Sequence, residues 1–407
     1  MWTKLSWSTA SMFRIFGPPG TGKTTTLLNM VDDALASGTP PQKIAFLAFT
    51  RKAAEEARER AAARFELDPK KDLVYFRTLH SLSLMLTDIR PEQIMQPEHY
   101  REISQACGVP LVAGKTKAEL HDQLKATDPI LSIINLARLR KVPLREQYNI
   151  TDIDHDWLTV NHVARTLEEY KRHLHMFDFT DMLSVFIEQA PRFCPHFDLI
   201  FLDEAQDLSP LQWDMAHLLD EHSTRMYVAG DDDQAIYRWA GADVDHFINL
   251  PGGSETLSQS YRVPRAVHRV AQSVASRIHR RFPKTYEPRE ETGSVTYVST
   301  LDQIDMSEGT WLVLAQAGYQ LEPVANDLKS NGFLFNYRGS RSISEKISDA
   351  VNGWERLRKG REITGATARN IYSYMSANKR IKRGFKKLPG LEDNDLVTME
   401  TLQQHHG

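Results

Sequence analysis

The chain has 407 residues, 41% of them hydrophobic and 25% charged, which is ordinary for a globular protein large enough for two or three domains. Its net charge of −3 excludes a polycation that holds nucleic acid by bulk charge, so any such contact must come from a local groove. The only cysteines, Cys107 and Cys194, lie far apart, which argues against a disulfide scaffold or a zinc site. With no eighteen-residue apolar run and no signal-peptide core, we expect no membrane span and a cytoplasmic location.

The first motif in chain order is a glycine-rich turn between a predicted strand, 12–16, and a predicted helix. It matches GxxxxGK[ST] at every fixed position, and its glycines let backbone N–H groups surround a phosphate at a helix N-terminus. Lys23 is expected to reach the β- and γ-phosphates, and the Thr24 hydroxyl to ligate Mg²⁺. The residues predicted to bind nucleotide here are Gly17, Pro18, Gly20, Thr21, Gly22, Lys23, Thr24 and Thr25.

Alternating strands and helices follow this motif. An apolar run, 43–49, predicts a strand, the alanine-rich run 50–62 predicts a helix, and 73–79 predicts another strand. This order is typical of a parallel sheet with helices on both faces, in which ligands collect at the carboxyl ends of the strands. From about residue 82 to 176 helical patterns dominate, and we interpret this stretch as an α-helical insertion.

The sheet pattern returns at 197–207, where an apolar strand leads directly into acidic residues. With a phosphate-binding loop earlier in the chain, this is the pattern expected of a Walker B segment. Asp203 is predicted to hold Mg²⁺, and Glu204 to orient or deprotonate the attacking water.

The next predicted strand begins at 226. It leads into three acids, a glutamine and two aromatic residues, Tyr237 and Trp239. These rings could be ordinary core residues, but a polar, glycine-flanked loop favours platforms on which bases stack. Tyr261 and Arg262 follow, an aromatic ring beside a cation.

Together these segments resemble superfamily-one DNA helicases of the UvrD/Rep/PcrA type, over about residues 12–340. The resemblance rests on motifs that occur in the family's order: GPPGTGKT, AFTRKAAEEARERAA, FRTLHSLS, FDFTDML, LDEAQDLSPLQ, GDDDQAIYRWAGAD and LSQSYRVP.

The resemblance implies an ATP- and Mg²⁺-dependent helicase that moves 3′→5′ on single-stranded DNA and acts at junctions with duplex, with a protein loader as a candidate partner. Lys23, Asp203, Glu204, Gln234 and Arg262 would be catalytic, with Gln234 and Arg262 contacting the γ-phosphate. Tyr261 would stack on the adenine. The single strand would pass along Phe49, Thr50, His80, Tyr237 and Trp239.

The implied fold is α/β: a P-loop NTPase with a RecA-like parallel sheet, an inserted α-helical subdomain and a partial second RecA-like domain. The predicted boundaries are 1–81 with 177–253 for the first domain, 82–176 for the insertion, 254–340 for the second domain and 341–407 for the start of a helical accessory subdomain.

Three departures from the family pattern bear on activity. No adenine-reading Q motif precedes Gly17, and Ala240 stands where many relatives have arginine. Motifs V and VI, the latter with an arginine finger worth roughly 10³–10⁵ in rate, are not found. The expectation is a fragment, a split gene product or a short member, and the alternative function is an ATP-gated single-stranded-DNA-binding module with weak unwinding.

Two further alternatives stay open. The cation-rich run 379–387 could contact duplex phosphates or could be an ordinary solvated loop. A P-loop kinase or GTPase unrelated to nucleic acid is a third functional class, although it leaves the aromatic loop after residue 230 without a role.

Overall fold

A computed structural model describes residues 12–112, 128–337, 339–375, 381 and 385–406. Its centre is a six-stranded, wholly parallel sheet of β1 (Phe13–Phe16), β2 (Ile44–Ala48), β3 (Phe76–Thr78), β4 (Phe197–Leu202), β5 (Ser223–Gly230) and β6 (Ser254–Thr256). The strand order is β3-β2-β4-β5-β1-β6. The predicted α/β fold class is thereby confirmed.

The four strands β1, β2, β4 and β5 present side chains alternately to two separate apolar cores. In β1, Ile15 belongs to one core and Phe16 to the other, because successive residues of a strand point to opposite faces. Helices α1 (Lys23–Ala36) and α2 (Arg51–Phe65) supply the first core with residues such as Leu27 and Ala57. Helices on both faces leave the carboxyl ends of the strands as the open edge.

Between β3 and β4 the structure describes helices joined by loops, and no described segment there joins the central sheet. Its helices are α3 (Leu79–Met85), α4 (Pro97–Cys107), α5 (Pro129–Arg140), α6 (Leu144–Asn149), α7 (Trp157–Leu174) and α8 (Phe179–Phe193). Part of this layer has an apolar core of its own, which includes Ile103, Ile130 and Val160. The helical insertion predicted from 82 to 176 corresponds to this region, although α3 and α8 also pack against the sheet core.

Two further helices complete the sheet layer. α9 (Pro210–Glu221) joins β4 to β5, and α10 (Val244–Asn249) joins β5 to β6. α9 carries Trp213, which is fully buried in the core. In the described part of the chain, no helix combines the length and the apolarity that crossing a bilayer requires.

The chain divides into two compact units, residues 1–295 and 296–407. This division differs from the predicted start of a second domain at 254. The strand β6 extends the first sheet by pairing with β1, and the following helix, α11 (Arg265–Ala275), lies in the same unit. The assignment of 254–340 to a second RecA-like domain stays a prediction.

The second unit contains α12 (Leu321–Ser330), β7 (Asn336–Tyr337), β8 (Ser340–Arg341), α13 (Glu345–Arg358), β9 (Ile363–Thr364), α14 (Gly365–Tyr374), β10 (Leu396–Val397) and α15 (Met399–His406). Its core includes Leu357, Ala368 and Ile371. Residues 310–315 form no strand, since no described segment pairs with them. Most of the cation-rich run 379–387 lies outside the described residues.

Candidate active site

The glycine-rich loop between β1 and α1 folds tightly around a lysine side chain. Gly20 and Gly22 have φ of +73° and +81°, a left-handed backbone that favours glycine. Lys23 Nζ donates to the Gly17 carbonyl at 3.1 Å, and a Cβ added to Gly17 would lie 1.8 Å from Lys23 Cγ. The loop therefore requires glycine at position 17, and it places its lysine at the N-terminus of a helix, where an anion is favoured.

Two acidic residues at the end of β4 face this loop. The Thr24 hydroxyl donates to Asp203 Oδ2 at 2.8 Å, and Lys23 Nζ lies 3.7 Å from Glu204 Oε2. The Asp203 N–H donates to the Leu47 carbonyl of β2, which fixes the acid at the strand end. The fold thus brings Lys23 and Thr24 into contact with acids that lie 179 or more residues later in the sequence.

The acids carry more negative charge than their surroundings neutralise. Burial and the neighbouring Glu204 charge raise the pKa of Asp203 to about 6 and the pKa of Asp207 to about 7. Asp207 Oδ1 is buried and accepts no hydrogen bond from any described residue. A bound cation would relieve this excess of negative charge.

The residues fit Mg²⁺ in the way that nucleotide-binding proteins hold it. A hydroxyl and a carboxylate, from Thr24 and Asp203, are hard oxygen donors of the kind the ion prefers. Among the described residues, no group of three or more His, Cys, Asp or Glu side chains could hold a metal by itself. Mg²⁺ commonly takes one or two protein ligands and completes its shell with phosphates and water.

A buried glutamine that the sequence reasoning did not select joins the acids to the loop after β5. Gln206 Nε2 donates to Glu204 Oε2 at 2.8 Å and to Asp207 Oδ2 at 3.2 Å, while its Oε1 accepts from the Asp231 N–H at 3.0 Å. Asp231 Oδ2 in turn accepts from Gln234 Nε2 at 2.5 Å. Three successive hydrogen bonds, through Gln206 and Asp231, therefore connect Glu204 of the acid pair to Gln234. The sequence signal was a glutamine between two acids.

Tyr261 and Arg262 lie directly beside the glycine-rich loop. The Tyr261 N–H donates to the Gly20 carbonyl at 2.9 Å, and the Ser260 hydroxyl donates to the Pro19 carbonyl at 2.7 Å. A Cβ on Gly20 would lie 2.3 Å from Arg262 Cβ. The Tyr261 side chain is 74% exposed, so its ring is available for a flat partner.

Three aromatic rings form a row beside the same edge of the sheet. Phe49, just after β2, lies 5.6 Å from Tyr237 between ring centroids, and Tyr237 lies 6.3 Å from Trp239. Trp239 is 45% exposed, whereas Phe49 and Tyr237 are half-buried against the core. We call Phe49, Tyr237 and Trp239 the ring row.

The other two predicted strand contacts have local structural roles. Thr50 caps α2 by accepting the Ala53 N–H on its hydroxyl at 3.2 Å. The ring contact of His80 is with Phe179, at 6.2 Å, and burial lowers the pKa of His80 to about 4. His80 is therefore neutral near pH 7, and its Nε2 is buried without a described partner. A role for either in binding DNA stays a prediction.

The loop after β5 is held by cations from a distant segment, which the sequence reasoning also missed. Lys284 Nζ lies 3.1, 2.6 and 2.9 Å from carboxylate oxygens of Asp231, Asp232 and Asp233. Arg281 forms a bidentate ion pair with Asp233, in which Nε donates to Oδ1 at 2.8 Å and Nη2 donates to Oδ2 at 2.6 Å. We call these five residues the loop cluster. Three consecutive acids were its only sequence signal, and nothing marked Lys284 as their partner.

A phosphate-binding loop after β1, a helix beginning at its lysine, and an acid pair after β4, a strand of the same parallel sheet, together define a P-loop NTPase. A sequence model of the UvrD/REP helicase N-terminal domain matches residues 4–252, more than half of the chain. The chain belongs to this family.

Curated relatives agree with the family assignment. The chain is 27% identical over 285 residues to the ATP-dependent DNA helicase PcrA of Leuconostoc citreum, covering 66% of this chain and 38% of the relative. It is 27% identical over 292 residues to PcrA of Bacillus subtilis, covering 67% and 39%, and 25% identical over 313 residues to PcrA of Staphylococcus aureus, covering 72% and 42%. The chain thus spans about two fifths of the length of these relatives.

Proposed function

We propose that the chain is the nucleotide-binding part of an ATP-driven motor that moves along single-stranded DNA and separates duplex at junctions. The observation that carries this proposal is the continuous hydrogen-bonded connection from the acid pair through Gln206 and Asp231 to Gln234. Gln234 lies three residues before Tyr237, which belongs to the ring row. A nucleotide site and a base-stacking surface on one edge of a sheet are what such a motor requires.

The residues at the glycine-rich loop have separate roles in this proposal. Lys23 neutralises charge on the terminal phosphates, and Thr24 and Asp203 are the residues that would hold Mg²⁺. The ion, when bound, would supply charge neutralisation at the phosphate oxygens. Glu204 accepts a proton from the attacking water, and its backbone is left-handed, with φ of +56°, just after the end of β4.

Arg262 and Tyr261 would meet the nucleotide from the other side of the loop. Both are exposed and both follow a backbone contact with the loop itself, at Gly20. The tyrosine ring offers a face for a base, and the guanidinium offers donors for a phosphate. Tyr261 would then carry much of the adenine recognition.

The ring row would grip unpaired bases without regard to sequence. Each base–aromatic stack is worth roughly 1–3 kcal/mol and tolerates any base, because every base has a π-face. By resemblance to the family the direction of movement is 3′→5′, the location is cytoplasmic, and a protein loader is a further expected partner.

The first experiment measures ATP hydrolysis with and without oligo-dT. We expect oligo-dT to stimulate the rate, and we expect Lys23→Ala to lower kcat by about 10²–10³, as for the loss of one preorganised donor to a transition state. Lys43→Ala, which changes an exposed lysine bonded to the His196 carbonyl, is the matched control. A hydrolysis rate that does not respond to oligo-dT would contradict the proposal.

The second experiment separates the motor from the alternative, an ATP-gated DNA-binding module. Tyr237→Ala and Trp239→Ala should each weaken oligo-dT binding by about 1–3 kcal/mol. Duplexes with a 3′ or a 5′ tail then test unwinding and its direction. Nucleotide-dependent binding without strand separation would favour the binding module, and unchanged affinity in both variants would contradict each of them.

A further inference from the structure

A segment after α11 touches both the phosphate-binding loop's strand and the loop that carries Gln234. Residues 281–284, which we call the strap, lie in the first unit together with both of these elements. The Phe282 ring stacks on Phe16, the last residue of β1, with centroids 3.9 Å apart and planes 5° apart. The Phe282 N–H donates to Asp232 Oδ2 at 2.7 Å.

The strap's cations hold all three acids of that loop. Lys284 is 1% exposed and lies within 3.1 Å of each carboxylate, and Arg281 grips Asp233 with two nitrogens. Such a buried, multiply paired arrangement has few alternative geometries, because separating any one charge from its partners leaves it desolvated and unpaired. The 231–233 loop must therefore follow the strap when the strap moves.

The segment that contains the strap also reaches the nucleotide site, through the residues at its N-terminal end. The Ser260 N–H donates to the Glu287 carbonyl at 2.8 Å, and the Glu287 N–H donates to the Ser258 carbonyl at 2.7 Å, so residues 258–287 form a closed loop. Tyr261, near the start of this loop, bonds to Gly20, and the strap lies near the other end of the loop. One closed piece of chain thus contacts the phosphate-binding loop and the acidic loop at separate points.

We propose that the strap is a coupling element, with Arg281 and Lys284 as positioning residues that transmit nucleotide occupancy at Tyr261 and Arg262 to the ring row. The inference rests on the proposed function and adds a second route beside Gln234. The route runs from Gly20 through the closed loop 258–287 to the strap, and from there through Asp231–Asp233 to the segment that bears Tyr237 and Trp239.

The two routes differ in what they sense. Gln234 is exposed and is connected to the acid pair through Asp231 and Gln206, so it can respond to a terminal phosphate. The strap responds to the base side of the nucleotide, because its loop begins at the residues beside Gly20. Breaking the strap should therefore leave each ligand able to bind alone while weakening the effect of one on the other.

The test measures the affinity of the 407-residue chain for fluorescent oligo-dT with and without a non-hydrolysable Mg·ATP analogue. The ratio of the two dissociation constants is the coupling factor, and we expect it to be about fivefold or more in the unchanged protein. Arg281→Met and Asp233→Asn, which remove opposite sides of one ion pair, should each bring the ratio close to one. Each binary affinity should stay within about threefold, since neither residue is proposed to touch a ligand.

Arg280→Met is the matched control, because Arg280 adjoins Arg281 but is 74% exposed and pairs with Asp245 on the surface. Arg280→Met should keep the coupling factor of the unchanged protein. Thermal melting verifies that each variant is folded, and Asp233→Asn, which nearly preserves side-chain shape, serves if Arg281→Met does not fold. A purely structural role would lower the melting temperature and leave the ratio intact.

The outcomes separate the inference from the proposed function. If the folded variants retain the unchanged protein's ratio, the inference is overturned and the motor reading stands. If the unchanged protein binds no oligo-dT, or binds it equally in both nucleotide states, the proposed function fails and the inference fails with it.

Discussion

Two clusters of buried charge stabilise the first unit, and they differ in what they join. In the helical layer, Arg138 and Lys171 pair with Asp178 and Asp181; Arg138 Nη1 lies 2.6 Å from Asp178, and Lys171 Nζ lies 3.0 Å from each acid. We call these four residues the helix cluster. In the loop cluster, Arg281 and Lys284 pair with the three acids that follow β5.

The helix cluster links the ends of three helices within one layer. Its acids begin α8, where Asp178 also caps the helix by accepting the Asp181 N–H. The loop cluster links a loop at the open edge of the sheet to a segment that follows a helix. The same chemistry therefore serves a fixed packing contact in one place and an attachment to the candidate active site in the other, and position in the fold makes the difference.

The sharpest way to test this contrast is to remove one of the two cations of the helix cluster, Lys171. Lys171→Met should lower the free energy of unfolding by about 3–5 kcal/mol, because two buried carboxylates lose a partner. The oligo-dT coupling factor should remain that of the unchanged protein. Urea denaturation measures the first quantity, and Arg172→Met, at an exposed neighbouring position, is the control. A loss below about 1 kcal/mol would show that Arg138 alone neutralises the cluster.

The corresponding change in the loop cluster should affect both stability and coupling. Lys284→Met is expected to cost a comparable amount, about 3–5 kcal/mol, because Asp231 and Asp232 lose their lysine while Arg281 still pairs with Asp233. Unlike Lys171→Met, it should also bring the coupling factor toward one. Equal coupling factors in folded Lys171→Met and Lys284→Met protein would remove the functional distinction between the two clusters.

A buried acid without a cation provides the pH test. The pKa of Asp207 is raised to about 7 by burial and by the Glu204 charge, whereas Arg281 and Lys284 outweigh burial and hold the pKa of Asp233 below its usual range. Because the folded pKa of Asp207 exceeds its unfolded value, its contribution to stability is present below about pH 4 and is lost as the pH rises through 7.

Asp207→Asn should therefore raise the free energy of unfolding by about 1–3 kcal/mol at pH 8 and change it little at pH 4.5. Thermal or urea unfolding at the two pH values, without nucleotide or Mg²⁺, measures the effect. Asp33→Asn, on the exposed side of α1, is the control and should show no such pH dependence. A variant equally destabilised at both pH values would mean that the carboxyl is needed for its hydrogen bond with Gln206.

The smallest expected effect concerns the aromatic contact of the strap. Phe282→Leu keeps an apolar side chain but loses the stack on Phe16, so we expect a loss of about 1 kcal/mol of stability. The coupling factor should fall by about twofold, since the ion pairs of the strap remain. Phe193→Leu, at an exposed ring that ends α8, controls for the substitution. An unchanged coupling factor would restrict the coupling role of the strap to its charges.

Much of the sheet and of the nucleotide site was predictable because the determinants are local. A strand before Gly17 and a helix from Lys23 follow from apolar patterning and from the conformational freedom of Gly20 and Gly22. Parallel strands align their carboxyl ends, so Asp203 could be placed beside Thr24 without knowledge of the intervening chain.

Contacts between distant side chains were not predictable in the same way. The pairing of Lys284 with Asp231–Asp233 depends on how the chain returns after α11, and no local pattern records that path. The strand β6 was too short to reveal that it extends the first sheet, so the division at residue 295 differed from the predicted one.

The sequence by itself determined the α/β fold class, the phosphate-binding loop, its acid pair and the order of the motifs, because each depends on residue type and spacing along a few neighbouring positions. The tertiary structure alone decided that Gln206 bridges two loops, that His80 lies against Phe179, and that the strap holds the acids after β5. These contacts join residues far apart in the chain, and their free energies arise only when packing excludes water from both partners.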